Sequence, residues 1–214
     1  MKLRKYLFMI VGILLISFAF GQAPKGFSEV EDVVSFKNKL RETSAKTQSI
    51  SSEFIQEKHL TMMEEVLVSR GRFLFKKKNK VRWEYFEPIV YAIIINQNRF
   101  IINNDGKISE FDTESNKLFK EINNMIVMAI QGNFVDDPEF TASFYQNDNN
   151  YLAVLIPENE LLGDILAEIK IYFSKQDIAV SEVKFIEPGD DFTKITFINR
   201  KANIEIDDDE FSAQ

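Results

Sequence analysis

The chain has 214 residues, a formal net charge of −7 at pH 7 and no cysteine. The acidic balance argues against a nucleic-acid partner and against electrostatic attachment to anionic lipid. Without cysteine, the chain cannot carry a disulfide framework, a thiolate metal site, a cysteine nucleophile or a lipid attached to an N-terminal cysteine.

The first 21 residues have the pattern of a secretory signal peptide. Three basic side chains among the first five residues precede an apolar stretch over residues 6–20, and Gly21 supplies a small residue for cleavage. We therefore predict that residues 22–214 form one exported domain that is free of the membrane. The alternative, an uncut stretch that serves as a membrane anchor, is disfavoured because the stretch is short for a span.

A capping box predicts that the mature domain opens with a helix. Ser28 and a Glu three residues later form the box, and apolar residues over 30–40 fall on one arc at 3.6-residue spacing. From Gln48 the period changes to two, with Asp105-Gly106 as a hairpin signal. Strands joined by short turns pair antiparallel with their chain neighbours. We place them near 49–60, 64–77, 80–86, 90–96, 99–104 and 107–112.

A second helix is predicted over residues 115–132, between the strands. Its apolar residues cover well over the roughly 100° of an ordinary surface helix, so both of its sides require cover. After Pro138 the period of two returns, and Asp207 to Glu210 is predicted to be a solvated tail. The later elements are a short helix over 160–166 and strands near 139–147, 150–157, 167–174, 177–187 and 191–201.

The sequence offers few groups for catalysis or metal binding. His59 is the single histidine, so zinc sites that need two or three imidazoles are excluded. No phosphate-binding glycine motif occurs. Paired carboxylates such as Glu64-Glu65 and Asp190-Asp191 lie in predicted turns or at strand ends, where solvated charge is the ordinary use. We therefore expect no enzymatic activity, no metal and no cofactor.

Two neighbouring strands carry an apolar face without catalytic groups beside it. Phe73 and Phe75 share one strand face with Lys77, and Trp83 and Tyr85 share a face on the next strand. All but three of the 20 phenylalanines lie after the signal peptide. Such rings either fill a core or line a cavity for an apolar ligand, and the pattern alone leaves both open.

Residues 54–88 resemble a known family. The segments Phe54-Ile55-Gln56, Gly71-Arg72-Phe73-Leu74-Phe75-Lys76, Arg82-Trp83-Glu84-Tyr85 and Glu87-Pro88 are similar to the periplasmic lipoprotein carriers of the LolA family. The resemblance extends over residues 28–206, and its most specific part is the segment around Trp83. The signal ending at Gly21-Gln22 and the segment from Gln56 to Leu60 resemble the Bacteroidetes branch.

The resemblance implies one lipoprotein-carrier domain over residues 22–214 behind a signal peptide over 1–21. The implied fold is α+β, an incomplete, strongly curved antiparallel β-barrel of about ten or eleven strands, with helices covering the open mouth. Its concave face would be an apolar pocket for the acyl chains of lipoproteins. The cargo-binding residues implied are Phe54, Phe73, Phe75, Val81, Trp83, Tyr85, Leu118, Phe119, Ile122, Met125, Ile126 and Ala129.

The same resemblance implies a function and its partners. A monomeric periplasmic carrier would take lipid-modified proteins from an inner-membrane lipoprotein-releasing ABC transporter to an outer-membrane acceptor. Two alternatives stay open: the same fold with another lipid-like cargo, such as a glycolipid or a pigment intermediate, or an outer-membrane β-barrel. The barrel shares the signal peptide and the alternating strands, but the predicted helices and uneven strand lengths argue against it.

The sequence departs from the family at Lys77. Family members commonly have an Arg-Pro pair after the second long strand, and the Arg is associated with holding the lid closed, whereas this chain has Lys76-Lys77-Lys78. Lys77 takes the Arg position but lacks the planar guanidinium that binds two acceptors at once. Lys77 is therefore either a lid latch that reaches oxygen atoms of a helix across the pocket mouth, or part of a solvated basic turn.

Overall fold

The computed structural model describes residues 23–112 and 137–213 of the chain. The helices in these segments are α1 (Val33–Lys46), α2 (Glu160–Gly163) and a 3₁₀ helix (Asp208–Phe211). Within the same segments, no helix combines the length and the apolar character that crossing a membrane requires. The strands are β1 (Ser28–Glu29), β2 (Ser49–His59), β3 (Leu67–Lys76), β4 (Lys80–Glu87), β5 (Tyr91–Asn96), β6 (Arg99–Asn104), β7 (Lys107–Asp112), β8 (Phe140–Gln146), β9 (Asn150–Pro157), β10 (Glu168–Ser174), β11 (Val180–Ile186) and β12 (Phe192–Ala202).

All twelve strands belong to one antiparallel sheet. Their order is β1-β8-β9-β10-β11-β12-β2-β3-β4-β5-β6-β7, so most strands pair with their neighbours in the chain. The exceptions are β12 with β2 and β1 with β8, which join distant parts of the sequence. Because β1 and β7 end the order without pairing to each other, the sheet is open. The predicted α+β fold with an incomplete antiparallel barrel is confirmed.

Helix α1 begins later than the sequence predicted. Asp32 caps it, since its carboxylate accepts a hydrogen bond from the backbone N–H of Ser35 at 2.9 Å. The predicted cap, Ser28, lies instead in β1, opposite Gln146 of β8. That prediction was wrong because Asp32 satisfies the N-cap preference equally well, while pairing with β8 holds Ser28 in an extended strand. β1 is also the strand beyond the eleven that the sequence suggested.

One face of α1 packs on the concave face of the sheet. Phe36, which is almost fully buried, has its ring centroid 4.5 Å from that of Tyr151, 5.7 Å from that of Phe144 and 5.9 Å from that of Phe173. Leu40 follows one turn later in the same apolar cluster. The N-terminal half of α1 is therefore fixed to β8, β9 and β10 by aromatic contacts.

The C-terminal segment covers the convex face of the sheet over β3, β5 and β6. Phe211 is completely buried there against Leu74, Ile94 and Ile101. The prediction that Asp207 to Glu210 forms a solvated tail was therefore right about the exposure of most of these residues and wrong about a tail, because they belong to an anchored 3₁₀ helix. The run of acidic residues is exposed for the most part, but the aromatic ring that follows it anchors the segment.

Ion pairs hold the polar side of this segment. Arg72 donates to Glu84 at 2.6 Å and to Glu210 at 2.8 Å. Lys76 donates to Asp208 at 2.6 Å, and hydrogen bonds from this and a second lysine lower the pKa of Asp208 to about 2. Outward-facing charges of β3 and β4 thus pair with the chain end, while the inward-facing rings of the same strands pack beneath the sheet.

Candidate functional site

An apolar cavity lies between α1 and the concave face of the sheet. Its volume is about 100 Å³. Four hydroxyl residues line it as well, namely Thr43, Ser44 and Thr47 at the end of α1 and Ser52 of β2. The apolar lining residues come from α1 and from strands on both sides of β12: Leu40, Ile50, Phe73, Trp83, Phe140, Leu155, Ile169, Ile171, Phe173, Ile178, Ala179, Val180, Val183, Phe185, Ile195 and Phe197.

Two of the predicted cargo-binding residues line this cavity. Phe73 and Trp83 face it, with ring centroids 5.2 Å apart. Phe54 lies behind Trp83, at 5.0 Å between ring centroids. It belongs to the supporting cluster that also contains Phe75, Val81 and Tyr85. The remaining predicted residues fall outside the described segments: Leu118, Phe119, Ile122, Met125, Ile126 and Ala129.

Most of the lining comes from strands that the sequence analysis did not assign to the pocket. Ile171, Val183 and Phe197 lie on β10, β11 and β12, whose period of two was recognised. The period of two does not show which face of each strand packs against the face that carries Phe73. Pairing of β12 with β2 settles it, because Phe197 lies opposite Phe54 and both side chains point to the concave side.

The cavity carries one charged lining side chain among the described residues. Arg200 of β12 has 22% of its side chain exposed, and the closest carboxylate oxygen, Oδ2 of Asp177, lies 3.9 Å from its Nη1. Burial lowers the pKa of the Arg200 guanidinium, and Asp177 counteracts this shift in part. The described wall is therefore mainly apolar, with four hydroxyl residues and a single cationic position.

Lys77 contacts the helix that covers the cavity. Its Nζ donates a hydrogen bond to the carbonyl oxygen of Ala45, in the last turn of α1, at 2.6 Å. A cation at this end of a helix interacts favourably with the helix dipole. The neighbouring Lys76 turns to the other face of the sheet, where it donates to the carbonyl oxygen of Ile206 at 2.8 Å. The lysines in this run thus have different partners.

The fold is similar to that of a protein whose structure is known. A search of curated proteins found no match. Among solved structures, an uncharacterized conserved protein from Thermus thermophilus is similar, with a TM-score of 0.50, 8% identity, and coverage of 83% of this chain and 91% of that chain. A LolA superfamily protein from Nitrosomonas europaea gives a TM-score of 0.47 at 9% identity, with 84% and 96% covered. The lipoprotein LppX from Mycobacterium tuberculosis gives 0.46 at 6% identity, with 82% and 99% covered.

The sequence itself identifies the family. The family model described as outer membrane lipoprotein carrier protein LolA matches residues 45–214, which include β2 to β12 and nearly all of the cavity wall. The resemblance noted at residues 54–88 is thereby confirmed at the level of the family, whereas the Bacteroidetes branch stays a prediction. The chain belongs to the family of the outer membrane lipoprotein carrier protein LolA.

Proposed function

We propose that the protein is a periplasmic carrier that shields the acyl chains of lipid-modified proteins in the cavity beneath α1. The observation that carries the proposal is the apolar wall of that cavity in an otherwise acidic member of the LolA family. Transfer of acyl chains through water exposes apolar surface at a cost of about 0.8 kcal/mol per CH₂. A chain of ordinary length therefore costs on the order of 10 kcal/mol unless a protein covers it.

The size of the cavity supports a carrier that closes on itself when empty. A cavity of about 150 Å³ in a protein core is large enough for one benzene molecule. The cavity here, at about 100 Å³, is smaller. Cargo must therefore displace contacts that the protein makes with itself, and this competition lowers the net affinity. A carrier needs such a balance because it has to release what it binds.

We place the opening at the C-terminal end of α1. The N-terminal half is fixed by Phe36, whereas Thr43 and Thr47 at the other end face the cavity. Lys77 supplies a contact between the sheet and this end through Ala45. In this proposal Lys77 stabilises the closed state, and cargo entry breaks its hydrogen bond. The helix predicted over residues 115–132 stays a prediction as a second cover of the cavity, and it falls outside the described segments.

The cargo would travel from the inner to the outer membrane. A signal peptide over residues 1–21 would direct the chain to the periplasm, an inner-membrane lipoprotein-releasing transporter would load it, and an outer-membrane acceptor would receive the cargo. Mass spectrometry of the lipid that copurifies with periplasmic protein tests the cargo directly. A diacylglyceryl-modified protein supports the proposal, whereas a glycolipid or a pigment intermediate would assign the same cavity to another lipid-like cargo.

A larger side chain at Val183 should block the cavity. Val183 lines the cavity and is buried on β11, so Val183→Phe fills the space that an acyl chain would use. We expect its affinity for a fluorescent fatty-acid analogue to fall by at least about tenfold, at a stability cost of about 1–3 kcal/mol. Thr196→Phe, on the opposite face of neighbouring β12, is the control. Equal binding by Val183→Phe and wild type, with the fold intact by circular dichroism, would place the ligand elsewhere.

Removal of the Lys77 contact should affect transfer more than binding. Lys77→Leu deletes the hydrogen bond to Ala45, which is worth about 1 kcal/mol. We expect the variant to bind a fluorescent lipid at least as tightly as wild type and to deliver it more slowly to an acceptor. Lipid transfer between wild type and Lys77→Leu, measured in both directions, tests this. Equal forward and reverse rates contradict the latch, and Lys78→Leu controls for the loss of a charge.

A further inference from the structure

Arg200 reaches the cavity because of a local irregularity in β12. Ile198 pairs with Glu53 of β2 and Lys201 pairs with Ser51, so two residues of β12 lie opposite the single residue between them. The extra residue is a β-bulge, a feature that redirects side chains. A regular strand would alternate in step with Ile195 and Phe197 and would turn Arg200 away from the cavity.

The two residues of the bulge, Asn199 and Arg200, point to opposite faces of the sheet. Asn199 adopts a positive φ of 54°, and its Nδ2 donates to Glu53 Oε2 at 3.0 Å. Arg200 lines the cavity together with Ser52. A left-handed backbone at a non-glycine residue is unfavourable, although Asn tolerates it better than most. The fold therefore includes a local distortion whose result is a cation inside an apolar wall.

The described residues around Arg200 offer few hydrogen-bond acceptors to its guanidinium. A guanidinium has five N–H donors, and the nearest carboxylate oxygen of the described residues, on Asp177, lies at 3.9 Å, beyond hydrogen-bond distance. The same Asp177 already accepts a hydrogen bond from the backbone N–H of Ala179 at 3.2 Å, within the turn between β10 and β11. An ion pair at this distance contributes little to stability, so it does not account for the half-buried position of Arg200.

We infer that Arg200 binds the oxyanion headgroup, a carboxylate or a phosphate, of an amphiphile whose acyl chain occupies the cavity. This inference rests on the acyl-chain cavity of the proposed carrier and adds a second class of cargo to it, because the diacylglyceryl group of a lipoprotein has no oxyanion. Guanidinium binds such groups through two parallel hydrogen bonds, which are strong where water is partly excluded. The apolar wall would hold the chain while Arg200 fixes the end from which it projects. Asp177, more than half exposed, is free to turn aside when the anion enters.

The intrinsic fluorescence of Trp83 provides the test. Trp83 is the single tryptophan of the chain and lines the cavity, so it reports occupancy without a label. Wild type is titrated at neutral pH with dodecanol, dodecanoate and dodecyl phosphate, which share one chain. We expect at least one anion to bind about tenfold more tightly than the alcohol. Whichever anion binds better identifies the oxyanion.

Variants distinguish this inference from the carrier function. Arg200→Gln should remove the preference for the anion while retaining the binding of dodecanol, and Arg200→Lys should restore part of it. Lys201→Gln, an exposed neighbour that pairs with Ser51, should leave the preference unchanged. Equal affinities for alcohol and anions in wild type, or an equal loss in Lys201→Gln, would overturn the headgroup site and leave the carrier intact. No binding of any of the three would overturn both.

Discussion

Gly71→Ala should destabilise the native fold severely. A Cβ at this position would overlap the backbone carbonyl oxygen of Glu84 and lie 2.6 Å from Cζ of Phe54. The first contact is with the backbone of β4, which pairs with β3 at this point and cannot retreat without loss of the ladder. The second is with a buried ring that supports the cavity wall. We expect a loss of at least about 3 kcal/mol in unfolding free energy.

Chemical denaturation followed by circular dichroism measures this loss. Gly163→Ala is the matched control, because a Cβ at Gly163 meets nothing within 4 Å. The control should unfold within about 0.5 kcal/mol of wild type. A Gly71→Ala protein with the same midpoint as the control would show that β3 and β4 do not approach each other as closely as described. Position 71 requires glycine because the ring of Phe54 and the carbonyl group of Glu84 leave no space for a side chain.

Phe211→Ala should produce the second-largest loss of stability. The ring is fully buried on the convex face, and its removal leaves Leu74, Ile94 and Ile101 poorly covered. Truncation of a buried Phe costs about 3–5 kcal/mol, and we expect the lower end because a short, mostly exposed 3₁₀ helix can relax. Thermal unfolding monitored at the protein's aromatic residues measures it. Asp209→Ala, an exposed neighbour in the same 3₁₀ helix, should change stability by less than about 0.5 kcal/mol.

The result also decides how the chain end is held. If Phe211→Ala and Asp209→Ala behave alike, ion pairs such as Arg72 with Glu210 hold the segment, and the ring is dispensable. The expected order follows from the strengths of the two interactions. Half-exposed ion pairs contribute at most about 1 kcal/mol, whereas a buried aromatic ring contributes several times that amount.

Local patterns predicted the strands but not the way in which their faces meet. The period of two located β2 to β12, and the Asp105-Gly106 turn has the positive φ values, 49° and 85°, that a type I′ hairpin requires. The same pattern put Phe73 on one strand face with Phe75 and put Trp83 on one face with Tyr85, and Phe73 and Trp83 both line the cavity. These successes depend on residues that are close in the chain, and so on information that a short window contains.

The features that the sequence did not predict depend on contacts between residues that are distant in the chain. Phe197 could not be assigned to the cavity without the pairing of β12 with β2. Arg200 would be placed on the outer face by simple alternation, because one extra residue in a bulge reverses the side on which later residues point. Phe211 was overlooked since it follows four acidic residues, and composition describes the run better than the ring that anchors it.

The position of β12 in the sheet has a consequence for the order of folding. Phe192 and Ala202 of β12 pair with His59 and Ile50 of β2, so β12 connects the first long strand to the last. A chain that ends before β12 would hold two half sheets, one from β2 to β7 and one around β8 to β11, and β2 and β11 would then be additional unpaired edges. Pairings of such high contact order close slowly. The nascent protein therefore passes through a period with two open edges that the complete sheet lacks, during which association with other chains competes with folding.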